Sequence, residues 1–113
     1  MDVENELAAR IRVALGTNRP VREKRMFGAL CFMVGEKMAL SAFSNGALLV
    51  RVDPDRSDEL LAVQGAEQAE MGRGRSMGPS WISVSAEAVA DDASLAFWMG
   101  VALEYNKALV VKD

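Results

Sequence analysis

Residues 29 to 52 constrain this chain more than any other stretch. Ala29-Leu30-Cys31-Phe32-Met33-Val34 is an unbroken apolar run, the pattern of a strand covered on both faces. Gly35-Glu36 supplies a tight turn, and Met38 to Phe43 returns as a second strand. Asn45-Gly46 follows, two residues that tolerate positive φ and mark a two-residue hairpin. Leu48, Val50 and Val52 then alternate with Leu49 and Arg51, so the first three are predicted to face the core and the other two outward. A meander of this kind cannot be parallel. The sheet is therefore expected to be mainly antiparallel, with helices on one face.

The flanking segments supply the helices. Val3, Leu7, Ile11 and Leu15 recur every four residues and predict an amphipathic helix over 2–16. Glu4 and Glu6 suit its N-terminal dipole, and Gly16 is placed to end it. Thr17 to Pro20 reads as a linker. Asp53-Pro54 stops the third strand and starts a second helix, with aspartate as cap and proline at the first position. That helix carries Leu60, Leu61 and Val63 and ends near Gly65. Residues 66–71 form a weak edge strand at most, and Met71 to Pro79 is a glycine-rich flexible loop. Trp81 to Val84 is a short strand, and Ala86 to Asp91 a turn or short helix. Asp92 is expected to cap a last helix whose buried stripe is Leu95, Trp98, Ala102, Tyr105 and Leu109. The predicted order is α-β-β-β-α-β-β-α, a two-layer α+β fold occupying 1–113 as one domain.

Composition narrows the function. Of the 113 residues, 50% are hydrophobic and 26% charged, a globular balance. A net charge of −3 argues against general binding to nucleic acid or anionic membranes. The chain contains no histidine, which removes Ser/His/Asp and Cys/His catalysis and every histidine metal site. One cysteine, Cys31, allows no internal disulfide and fits a reducing compartment. The start carries no basic, apolar leader and no stretch is long enough to span a bilayer, so a cytoplasmic location is expected. No cofactor or metal is expected.

A few clusters compete between functional and ordinary readings. Arg19, Arg22, Lys24 and Arg25 precede the first long strand and present donors for a phosphate or an acidic partner. The ordinary reading is a solvated strand edge guarded by charge. Met26-Phe27-Gly28 suits either an adaptable contact or core packing, with Gly28 at a bend or bulge. Arg73 and Arg75, set among glycines, are placed to meet an anion, or they belong to an ordinary loop. Cys31 reads as a buried structural thiol. Asp53, Asp55, Asp58 and Glu59 fail as a calcium loop, which needs glycine where Asp58 stands and glutamate where Gln64 stands. They read as helix-start acids, and Trp81 and Trp98 as core or half-core residues. Carboxylates, Lys24, Lys37, Lys107, Lys112, Tyr105 and Cys31 form no recognisable catalytic pair.

Glu23-Lys24-Arg25-Met26-Phe27-Gly28, Leu30 and Phe32, Leu49-Val50-Arg51-Val52-Asp53, and a Gly-Arg loop leading to Trp81 together resemble the N-terminal domain of the TfoX/Sxy family. The resemblance extends from the acidic start to Trp98. It implies an α+β fold similar to that of type III secretion chaperones, in which dimers are common. It also implies kinship with competence regulators that act with a cyclic-AMP receptor protein at promoters, and it offers no catalytic residues. Those regulators have two domains, and this sequence corresponds to the first. Family members follow Gly-Arg with Pro-Met, where this chain has Gly72-Arg73-Gly74-Arg75-Ser76-Met77. The expected function is a non-enzymatic regulatory or protein-interaction domain, dimeric, with Arg22, Lys24, Arg25, Met26, Phe27, Arg73 and Arg75 as its contact surface. The alternative is weak nucleic-acid binding through the basic members of that set.

Overall fold

The structure, a computed structural model, describes residues 3–16, 21–26, 28–70 and 75–112. Phe27 and Arg73, together with Arg19 of the linker, lie outside the described residues. The elements run α1 (Val3–Leu15), β1 (Val21–Met26), β2 (Ala29–Val34), β3 (Lys37–Phe43), β4 (Leu48–Arg51), α2 (Ser57–Leu61), β5 (Ala66–Gln68), β6 (Trp81–Val84) and α3 (Asp92–Lys112). The strands form one sheet in the order β1-β2-β3-β4-β6-β5. Every neighbouring pair is antiparallel. The two-layer α+β expectation holds.

One strand is new. The basic segment read as lying before the sheet is itself β1, pairing Val21 with Val34 through to Met26 with Ala29. The meander therefore has four strands, not three. Its segment V-R-E-K-R-M carries four consecutive charges, so hydrophobic alternation is missing and only pairing with β2 makes it a strand. Gly28 lies in the turn joining β1 to β2, with φ of 74°, rather than at a bend within a strand.

The β3–β4 connection also differs from expectation. Gly46 donates to the Phe43 carbonyl at 2.9 Å, Phe43 donates to the Ala47 carbonyl at 3.0 Å, and Ala47 donates to the Asn45 side chain at 3.0 Å. Ser44-Asn45-Gly46 is thus a three-residue loop in which Gly46 alone takes positive φ, 87°. Asp53 caps the helical segment as expected, accepting from the Asp55 N–H at 2.9 Å, with Pro54 opening a 3₁₀ turn that leads into α2.

The cap of α3 is Asp91, not Asp92. The Ser94 N–H donates to Asp91 Oδ2 at 2.9 Å and the Leu95 N–H to the Asp91 carbonyl at 3.2 Å. Asp92 instead pairs with Arg10 of α1 at 3.2 Å. Two adjacent aspartates offer the same cap chemistry, and backbone geometry selects the first.

Helices α1 and α3 lie on one face of the sheet. Leu7, Ile11 and Leu15 of α1 meet Phe32, Leu40, Leu48, Val50, Ile82 and Val84 from the strands, with Leu95, Trp98 and Ala102 of α3 closing the cluster. Complete burial of these side chains supplies the main folding drive, at about 25 cal/mol per Å² of apolar surface removed from water.

Candidate functional site

The opposite, helix-free face of the sheet carries the unusual chemistry. Registers place Cys31 opposite Ser41 and Ser41 opposite Leu49, so these three form a row across the sheet centre. Leu49 was expected to face outward to solvent. It does leave the helical core, yet it is buried, at 4% exposure. Ala29 and Cys31 are equally buried, so the apolar run of β2 is covered on both faces, as its composition requires.

The cover comes from the chain's own segment between β5 and β6. Glu70 bridges Ser76, and the Met77 N–H donates to the Ala69 carbonyl at 2.9 Å, extending the β5–β6 pair as a ribbon. Gln68 Nε2 donates to the Gly78 carbonyl at 2.8 Å and the Trp81 carbonyl at 3.1 Å, tying the base of that ribbon. The segments on either side of the glycine-rich loop are therefore paired, with Arg75 exposed on the returning arm.

Between this ribbon and the sheet lies a cavity of about 410 Å³. Its floor is Ala29, Cys31, Ser41 and Leu49. Its walls are Met26, Met38 and Met77 with the rings of Phe43 and Trp81, and among the described residues Glu70 is the one charged side chain lining it. Ser41 is completely buried, and its hydroxyl donates to the Met38 thioether at 3.1 Å, a weak acceptor. The Arg51 guanidinium carbon lies 5.3 Å from the centre of the Trp81 ring, its partner across β4 and β6, and fixes that wall. The Arg51 Nε is buried and has no hydrogen-bond partner.

The basic residues of β1 do not share one face. Along β1, Arg22, Lys24 and Met26 share the helix-free face, whereas Glu23 and Arg25 register with Phe32 and Leu30 on the helical face. Arg22 is ion-paired with Glu36 at 2.7 Å, both side chains being well exposed. Glu23 takes two hydrogen bonds from Arg12 of α1, at 2.6 and 2.7 Å. Those bonds hold the Glu23 carboxyl below the usual glutamate range against a smaller opposing desolvation. Met26, another residue of the expected contact surface, lines the cavity.

Two large apolar side chains of the helical layer, which periodicity does not single out, are exposed. Val13 is 82% exposed and Phe97 45%. Ala9, Val13 and Ala14 of α1 line a groove with Leu95 and Ala96 of α3. The signal was available: Val13 and Phe97 are large apolar residues off their helices' buried stripes. Among the described residues no three His, Cys, Asp or Glu side chains gather as metal ligands, and no helix is long and apolar enough to cross a membrane.

A six-stranded antiparallel sheet, with helices on one face and a cavity on the other, defines a small α+β domain. Residues 14–105 match the family model described as the TfoX N-terminal domain. The chain belongs to that family. No curated protein and no solved structure matches it.

Proposed function

We propose that this protein is a regulatory protein-interaction domain that works by contact rather than catalysis, as a pair of identical subunits joined through the outer surface of α3. The observation that carries this reading is Gly100. Glycine in the middle of a helix costs about 1 kcal/mol relative to alanine. A Cβ at Gly100 would meet nothing within 4 Å, so packing inside the subunit does not require the glycine. Close approach by a second helix does.

The surroundings fit a second copy. Ala93, Ala96, Phe97 and Gly100 are all exposed on α3. Asp91 and Asp92 stand at its start and Lys107 near its end. An antiparallel pair of α3 helices sets the acids of one subunit near Lys107 of the other and opposes the two helix dipoles. Kinship with a regulator family, and a chain without histidine, support contact as the mode of action.

Sedimentation at micromolar concentration tests the reading. The expected result is a dimer that Phe97→Asp converts to monomer while the far-UV circular dichroism is unchanged. A wild-type monomer at every concentration overturns it. The basic-surface alternative predicts salt-sensitive DNA binding, lost on substituting Lys24 and Arg75. The split of β1 between the two faces of the sheet favours the protein-contact reading.

A further inference from the structure

We infer that the groove between α1 and α3 is filled by a second copy of the chain, whose Leu103 and Lys107 lie along it. This rests on the antiparallel α3 pair proposed above and names the parts of the second subunit that the groove takes. Extent comes first. A stable interface uses about 20–30 residues on each side. From Ala93 to Ala108, α3 exposes seven positions, too few for a stable pair by itself, so flanking elements have to join. The groove is continuous with that face. Ala96 belongs to both, and beyond it lie Leu95 with Ala9, Val13 and Ala14 of α1. Val13 is 82% exposed there, apolar surface that a single subunit leaves in water.

Symmetry decides which residues meet the groove. With Gly100 at the crossing of an antiparallel pair, residues equally distant from it on opposite sides come level. Lys107 of one subunit then stands beside Ala93 of the other. A twofold axis perpendicular to both helices leaves their α1 flanks on the same side. On α3 that flank carries Ala96, and Leu103 and Lys107 follow it at spacings of seven and eleven, which repeat one helical stripe. Leu103 is only partly buried within its own subunit. In the pair, the partner subunit's Leu103 and the methylene stem of the partner subunit's Lys107 run over Ala96 and Val13.

Charge fits the same placement. Asp92 lines the groove beside Arg10, 3.2 Å away, yet its side chain is 98% exposed and open to a second cation. Asp91 stands next to it and is also exposed. The partner subunit's Lys107 brings its ammonium group to this acidic end of α3.

Sedimentation of the whole chain and of three variants tests the assignment. Val13→Gln keeps a good helix former on the surface of α1 but sets an amide against Leu103. It should raise the dimer dissociation constant about tenfold over its two copies. Asp92→Lys and Lys107→Asp each place like charges across the contact and should each weaken the dimer about tenfold. An equal mixture of these two should recover wild-type affinity, because both contacts of the mixed dimer then join opposite charges. Unchanged constants in all three variants, with Phe97→Asp still monomeric, overturn the groove assignment and leave the α3 pair standing. Loss without recovery on mixing also overturns it, as an effect within each subunit. A wild-type monomer at every concentration overturns this inference and the dimer reading together.

Discussion

Two residues decide more than their sequence context announces. Asn106 is buried in α3, and its Nδ2 donates to the carbonyls of Val34 at 3.0 Å and Lys37 at 3.3 Å, on either side of the β2–β3 turn. One amide thus pins the turn to a helix position 72 and 69 residues further along the chain. Asn106→Leu should lose about 1–3 kcal/mol, because the two carbonyls are then left without that donor, and urea unfolding checks it. Gly65 has φ of 88°, and a Cβ there would sit 2.3 Å from the Ala88 Cβ. Gly65→Ala should therefore destabilise by about 2 kcal/mol or more, through strain and overlap together, with a lowered thermal midpoint as the readout.

At the scale of elements, charge organises both ends of the fold. The Ser94 backbone N–H bond holds the Asp91 carboxyl below its ordinary range, as the Arg12 bonds do for Glu23. A carboxyl depressed in the folded state contributes stability that is complete above its unfolded pKa, about 4 for these groups. That contribution is lost as the pH falls through the folded value. Stability should hold from neutral pH to about 5 and decline below it, and Asp91→Asn with Glu23→Gln should flatten the decline in a pH series of urea midpoints. The β1 edge uses charge differently. Exposed Arg22 and Lys24 guard an open row of backbone groups, so a double replacement by valine should raise light scattering on heating without changing the fold. The missing alternation that hid β1 in the sequence is the same property that protects it.

Over the whole molecule, the sheet has two differently covered faces. Helices α1 and α3 seal one, and the β5–β6 hairpin partly covers the other, leaving a cavity rather than a second core. The doubly apolar β2 therefore finds its cover within the subunit, which leaves the outer surface of α3 as the face proposed for a second copy. If that contact forms, the thermal midpoint should rise with protein concentration, and Phe97→Asp should remove the dependence.

Local periodicity and turn chemistry were enough for the elements with strong patterns: the stripe of α1, the apolar β2, the alternation in β4 and the Asp53-Pro54 start. These depend on interactions a few residues apart, which sequence spacing states directly. Long-range pairing supplied the rest. β1 became a strand because β2 needed a partner, Leu49 was buried because a distant hairpin folded over it, and Asp91 displaced Asp92 through backbone geometry. The cavity joins residues from Met26 to Trp81, and no local pattern records that Ser41 and Met77 line the same space. Burial and proximity are properties of the assembled sheet, since each side chain's surroundings come from strands brought together only on folding.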